Sequence, residues 1–448
     1  MTGFSETRRQ GLHLAMAAFA LLLRVLTWWQ AALCAVAAFL FNLFVLPRIA
    51  RASLYRPSDS ARGYPLGILF YPLSVLLLIL AFPTRLDIVA AAWGILAFGD
   101  GLATIVGSRS RGPRLPWNPG KSVAGSAAFA MAGALAGIGL AWWTRPAVSP
   151  PPPALYVAAA PALAAIVAAL VESIPVRLDD NISVPIAAGI VLGGLALIDP
   201  AAWPSARSWL PRSLLYAAAV NLPVALAGWR ARTVTFPGAL AGAAIGIAVF
   251  GFGGPAAWVL LFASFLVAAI STRLGLRRKS VLGLAEAGGG RRGPGNAIAN
   301  TGLAAFAAVI AALSLHREGA LLAMAAALTA GASDTVASEI GKAWGTRTYL
   351  FPTFARVRPG TSGAVSLEGT GAGLVAALGL SALAVWLGLI RKDGLWIVTV
   401  GATVGAFMES WLGATFESSG TLDNNILNFV NTAFAAACAV ALAWVAAP

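Results

Sequence analysis

Two ordered sets of polar residues recur along this chain, and their types suit phosphate chemistry. The first reads Gly99-Asp100-Gly101, then Gly120-Lys121-Ser122 with Ser126, then Glu172-Ser173, then Asp179-Asp180-Asn181. The second reads Ser333-Asp334-Thr335 with Glu339, then Gly360-Thr361-Ser362 with Ser366, then Glu409-Ser410, then Asp423-Asn424-Asn425. The Asp and the Glu stand 72 residues apart in one set and 75 in the other, so order and spacing both repeat. Carboxylates beside basic, glycine-rich backbone suit a nucleotide phosphate with its divalent metal, because Mg2+ is held by one or two carboxylates plus phosphate oxygens. Asp100 with Asp179, Asp180 or Asn181, and Asp334 with Glu339, Asp423, Asn424 or Asn425, are the candidate metal-holding groups. The flanking loops add cations, hydroxyls and free amides, which neutralise and position a transferring phosphoryl group. Arg109, Arg114, Lys121, Ser122 and Ser126 are its candidate contacts in the first set, and Arg356, Arg358, Ser362 and Ser366 in the second.

Two familiar phosphate motifs are excluded. Pro119-Gly120-Lys121-Ser122 is not a P-loop, which needs Gly where Leu115 stands. Gly288-Gly289-Gly290-Arg291-Arg292-Gly293-Pro294-Gly295 is not a dinucleotide fingerprint, since no strand precedes it. An isolated Asp at the end of an apolar helix is often only a cap or an interfacial residue. Repetition in register weighs against that for Asp100 and Asp334.

The elements that position these residues are membrane helices. Of 448 residues 59% are hydrophobic and 11% charged, against roughly 25% charged in a soluble domain. That excludes a soluble globule, a disordered chain and a disulfide scaffold. Apolar windows of spanning length predict an all-α polytopic membrane protein with fifteen transmembrane helices, in two related domains near 1–205 and 206–448. The net charge of +14 then reports sidedness rather than nucleic acid. With the amino terminus inside, that terminus and the even-numbered loops hold 23 Lys and Arg and the odd-numbered loops seven. The expected location is a bacterial inner membrane, with the carboxyl terminus outside and both polar clusters facing the cytoplasm. Cys34 and Cys438 lie in apolar stretches near opposite ends and suggest neither a redox pair nor a metal site.

At these residues the chain resembles known enzymes. GDGLATIVG, PGKSVAGS and VESIPVRLDDNISVP are similar to the CTP-dependent polyprenol kinases, the group of dolichol kinase and phytol kinase. GGGRRGPGNAIANTG, ASDTVASEIG, RPGTSGAVSLEGT and LDNNILNFVNT resemble the phytyl-phosphate kinase family. The resemblance implies two successive steps in one polypeptide. The first domain would transfer a phosphoryl group from CTP to an isoprenoid alcohol, and the second would convert the monophosphate to the diphosphate, each with Mg2+ or another divalent cation. Asp100, Glu172, Asp334 and Glu409 would be catalytic. Arg291, Arg292, Arg356 and Arg358 would screen the two anions of the second step, with Asn296 and Asn300 one turn apart on a helix face. The implied partners are the isoprenoid alcohol and its phosphate, a nucleoside triphosphate and membrane lipids, not nucleic acid. Alternatives are a CTP-dependent lipid cytidylyltransferase and a transporter with internal repeats.

Overall fold

A computed structural model describes residues 11, 13–49, 66–175, 178–285, 290–351, 353–417 and 422–446. Arg8, Arg9, Arg51, Arg56, Arg62 and Arg177, counted above for sidedness, lie outside the described residues, as do Gly288 and Gly289. The chain is an all-α integral membrane protein. In lipid each backbone N–H and C=O must be satisfied internally, and helices do this within one segment. Eleven helices among the described residues are long and apolar enough to cross a membrane, and three shorter apolar helices accompany them. The backbone divides into two compact units, Met1–Ala196 and Leu197–Pro448.

Unit 1 comprises α1 (His13–Arg24), α2 (Trp28–Ile49), α3 (Leu66–Ala81), α4 (Leu86–Arg109), α5 (Val123–Thr144), α6 (Ala154–Ser173) and α7 (Asp180–Ala196). An antiparallel hairpin, β1 (Arg114–Leu115) and β2 (Asn118–Ser122), joins α4 to α5. Unit 2 comprises α8 (Trp203–Arg230), α9 (Phe236–Arg273), the short α10 (Leu276–Val281), α11 (Pro294–Leu313), α12 (Arg317–Trp344), α13 (Leu367–Trp386), α14 (Gly394–Leu412) and α15 (Asn424–Ala446). Between α12 and α13 lie β3 (Thr348–Leu350), β4 (Ala355–Arg356) and β5 (Ala364–Ser366), antiparallel in the order β4-β3-β5.

The helix bearing the repeated Asp is the most enclosed in each unit. α4 and α12 bury 67% and 72% of their apolar windows, more than any other candidate span among the described residues. Close packing around them relies on small residues, which let helix backbones approach in lipid. A Cβ on Gly373 would lie 3.0 Å from the Ser333 carbonyl oxygen of α12, and one on Gly94 of α4 would meet the Ala136 carbonyl oxygen of α5 at the same distance.

α9 is 38 residues long but is not one rod. Gly254 adopts φ 84°, ψ 178°, a left-sided conformation that only glycine takes readily, and Pro255 follows. The chain doubles back there, since both ends of α9 meet Arg292. The amide of Thr235 donates to the Arg292 carbonyl at 3.0 Å, and the Arg292 guanidinium donates to Thr272 Oγ1 at 2.9 Å. The apolar stretches 236–252 and 255–271 are thus the two arms of a helical hairpin.

Candidate functional site

Unit 1 gathers its polar groups where α4, β2, α6 and α7 meet. Asp100 ends a π-helical turn, Ile95–Asp100, inside α4. Such turns bulge the helix by one residue, re-aim neighbouring side chains and recur at functional sites. Asp100, Glu172 and Asp180 can each place a carboxylate oxygen within 4.8 Å of the others. Lys121 on β2 is ion-paired with Glu172 and stands 3.2 Å from Asp180. Burial alone would lower the pKa of the Lys121 ammonium, but the Asp180 and Glu172 carboxylates outweigh it and hold it above its ordinary value. The ammonium therefore stays charged at neutral pH. Glu172 is 4% exposed, and its second oxygen lacks a hydrogen-bond partner among the described residues, a costly state for a buried acceptor. A cavity of about 270 Å³ opens here, lined by Thr104, Arg114, Lys121, Ser122, Ser126 and Glu172.

Unit 2 has a larger cavity of about 370 Å³, lined by Asp334, Ser338, Lys342, Ser366, Thr370 and Glu409 among others. Ser362 pairs with Glu417 and donates toward the Gly413 carbonyl at 3.2 Å, closing the loop over the end of α14. Glu417 and Asn424 also line this cavity.

The two cavities correspond residue by residue, and the correspondence corrects the register of the sequence repeat. Ser122 caps α5 by accepting from the Gly125 amide at 3.0 Å, and Ser366 caps α13 by accepting from the Gly369 amide at 3.0 Å. A Cβ on Gly125 would meet the Ala103 carbonyl oxygen and Gly107, and one on Gly369 would meet the Ala337 carbonyl oxygen and Gly341. Ser122 therefore matches Ser366, not Ser362, and Ser126 matches Thr370. From Asp to capping Ser is 22 residues in unit 1 and 32 in unit 2, so the second hairpin carries ten more. Lys121 is then equivalent in position to Val365, Asp180 to Asn424, and Ser108 to Lys342.

Several expected contacts stand elsewhere. Glu339 is not open to a metal: it is 2% exposed, paired through one oxygen with Lys279 and through the other with Lys342 at 2.8 Å. Asp179 and Asp423 start α7 and α15 as Asx turns, each accepting the amide two residues on, of Asn181 or Asn425, at 2.9 Å. Asn181 also spends its amide group on Asp179 at 2.7 Å. Arg356 and Arg358 lie exposed on the ten-residue extension and do not line the cavity. Arg109 and Arg291 are exposed as well, whereas Arg114 reaches the rim of the first cavity. Arg292 is half-buried and donates to Asn296 Oδ1 at 3.3 Å, and Asn300 donates to the Asn296 carbonyl at 2.9 Å.

Residues 219–436, within unit 2, match the family model described as integral membrane protein DUF92. An uncharacterized membrane protein of Synechocystis sp., sll0875, is 36% identical over 44% of this chain and 78% of its own length. The chain belongs to the DUF92 family of integral membrane proteins. This DUF92 chain is also 35% identical to Protein VTE6, chloroplastic, of Arabidopsis thaliana over 42% of itself and 58% of that protein. A probable phytol kinase 3, chloroplastic, of Glycine max is 37% identical over 29% of this chain and 41% of its own length, so the match spans less than half of that kinase. No solved structure matches.

Four residues at the DUF92 chain's sites, Lys342, Ser108, His13 and Glu417, were not among those expected from the sequence. Lys342 and its counterpart Ser108 extend a helical stripe, Asp334-Ser338-Lys342 and Asp100-Thr104-Ser108, at intervals of four; all line a cavity but Asp100, which joins the adjoining carboxylate cluster. That period was legible. His13 lies 3.9 Å from Asp100 and packs edge-on against Tyr71 at 4.7 Å. Lone in an apolar span more than eighty residues upstream, it carried no local signal. Glu417 ends a π-helical turn, Gly413–Glu417, that no residue pattern announces.

Proposed function

We propose that this chain is a membrane kinase that phosphorylates an isoprenoid alcohol to its monophosphate in unit 1 and carries it to the diphosphate in unit 2, with CTP as donor. The observation that carries the reading is the repeated polar site, in which an Asp on the central helix is grouped with a Glu near the end of another helix, beside a cavity at a serine-capped helix start. Relatives whose names include phytol kinase supply the substrate class. An oxygen-only set of Asp100, Glu172 and Asp180 fits a hard divalent cation such as Mg2+, as do Asp334, Glu409 and Asn424. When bound, such an ion neutralises the phosphate oxygens of the donor.

In unit 1 the acceptor is a hydroxyl. Its oxygen bonds to the γ-phosphorus, the β–γ bridge of CTP breaks to leave CDP, and the hydroxyl proton passes to a carboxylate. Asp100, on the central helix and within the carboxylate cluster, is assigned this role. In unit 2 the acceptor is already an anion, so the chemistry shifts from removing a proton to bringing two negative groups together. Lys342 and Arg292 supply that charge. Both sites are assigned to the cytoplasmic face with the amino terminus inside, so that the intermediate stays in one leaflet and is locally concentrated.

The test is incubation of the purified protein in detergent with phytol or geranylgeraniol, Mg2+ and each labelled nucleoside triphosphate, resolving monophosphate from diphosphate. CTP-dependent formation of both, with release of CDP, is expected. Release of pyrophosphate would instead make the protein a cytidylyltransferase, and activity only in sealed vesicles would make it a transporter.

A further inference from the structure

Unit 2 holds a second chamber, of whose lining the proposed phosphoryl transfer uses only Arg292. It lies between α8, both arms of α9, α11 and α12, holds about 170 Å³, and is walled mostly by Ala, Gly, Val, Leu and Phe, with Ser264, Thr301 and Thr335 among them. Further polar groups stand at its two ends. At one end are Arg292, Asn296 and Asn300, the last with a buried side-chain oxygen that has no partner among the described residues. At the other, Trp258 donates its indole N–H to Asn221 Oδ1 at 2.9 Å, which closes the wall with a satisfied polar pair. Ala268 and Trp258 are ten residues apart on one arm of α9, which makes the chamber about 15 Å deep at the helical rise.

The chamber and the phosphoryl-transfer cavity flank one helix. Gly331 and Thr335 of α12 line the chamber, while Asp334 and Ser338 line the cavity. Arg292 belongs to the chamber, and Thr335, which also lines it, adjoins Asp334 on α12. An amphiphile with an anionic head at Arg292 and an apolar tail toward Trp258 would thus present its head to the carboxylate of the second site.

We infer that this chamber seats the head-proximal part of the isoprenyl chain of the monophosphate acceptor, with its phosphate at Arg292, and that Trp258 is the floor that limits how much chain it takes. The inference rests on the kinase reading of unit 2. The volume is small beside the 300–1,000 Å³ typical of ligand pockets, so only part of a long chain enters and the rest lies in lipid. Each added isoprene unit then improves binding until the chain reaches the floor, and nothing beyond it helps.

The test measures KM for a series of isoprenyl monophosphates of increasing length, in detergent with CTP and Mg2+, which bypasses unit 1. In the unaltered protein KM falls with length and then levels off. Trp258→Ala deepens the chamber, and the levelling moves to a longer chain. Ala243 is buried and lines the chamber, so Ala243→Leu takes up part of its space and moves the levelling to a shorter chain. The KM for the longest acceptor should rise about tenfold or more, as expected for lost apolar contact in a pocket. Opposite shifts from two substitutions do not arise from misfolding. Turnover with levelling unmoved in both variants overturns the inference alone. No turnover of any monophosphate by the unaltered protein overturns the kinase reading, and this inference with it.

Discussion

Lys121 and Asp180 stand 3.2 Å apart as an ion pair, and unit 2 has lost both partners together, with Val365 and Asn424 in their places. Deletion of a matched pair leaves the local charge balance unchanged, whereas loss of either alone leaves an uncompensated charge among other carboxylates. Neighbouring partners should therefore be coupled. Lys121→Val and Asp180→Asn should each depress monophosphate formation, and the double variant should recover part of the loss, with a coupling of about 0.5–3 kcal/mol in a double-mutant cycle on initial rates. Strict additivity would mean the pair is not a functional unit.

The central aspartates should separate the two steps. Asp100→Asn is expected to lower alcohol phosphorylation by about 10²–10⁴-fold, the range for a positioned proton acceptor, while turnover of added monophosphate continues. Asp334→Asn should do the reverse and let monophosphate accumulate. Loss of both products from either change would indicate one shared site rather than two.

Much of this arrangement was readable beforehand because acidic residues in membrane helices are costly and rarely incidental. Asp100, Glu172, Asp334 and Glu409 each line a cavity or join its carboxylate cluster, as their repetition suggested. The fifteen apolar stretches match the helices once the two arms of α9 are separated at Gly254. What failed was local. The Gly-x-Ser strings at Gly120 and Gly360 look alike, but a ten-residue extension of the second hairpin shifts the capping serine to Ser366. Arg356 and Arg358 ride on that extension and face solvent. Glu339 has the residue type of a metal ligand, but its two lysine partners come from α10 and from three residues on, and only the folded chain reveals the first.

That pairing has a stability consequence. Lys279 is 1% exposed, ion-paired with Glu339, and donates to the Thr272 carbonyl at 2.7 Å. Removing one member of a buried pair strands the other, at about 3–5 kcal/mol. Lys279→Met should lower the thermal unfolding temperature in detergent markedly, and combining it with Glu339→Leu should recover much of the loss. Lys342→Met, whose side chain is 25% exposed, should have a smaller effect on unfolding but a larger one on diphosphate formation. Equal destabilisation by the two lysine substitutions would contradict this division of roles.

The two-step scheme also requires that both hairpins lie on one side of the membrane. Arg111 and Phe354 are exposed in the segments that join α4 to α5 and α12 to α13, while Pro151 is exposed in the loop between α5 and α6, assigned to the opposite side by the distribution of Lys and Arg. With Cys34 and Cys438 replaced by Ala, single cysteines at these three positions can be probed with a membrane-impermeant maleimide. Arg111→Cys and Phe354→Cys should react in inverted vesicles and stay unreactive in right-side-out ones, and Pro151→Cys should do the opposite. An intermediate anchored in one leaflet can pass between sites only if they share that leaflet, because moving its charged head across the hydrocarbon core strips it of water. Labelling of Arg111→Cys and Phe354→Cys from different sides would therefore end the relay, whatever each unit does alone.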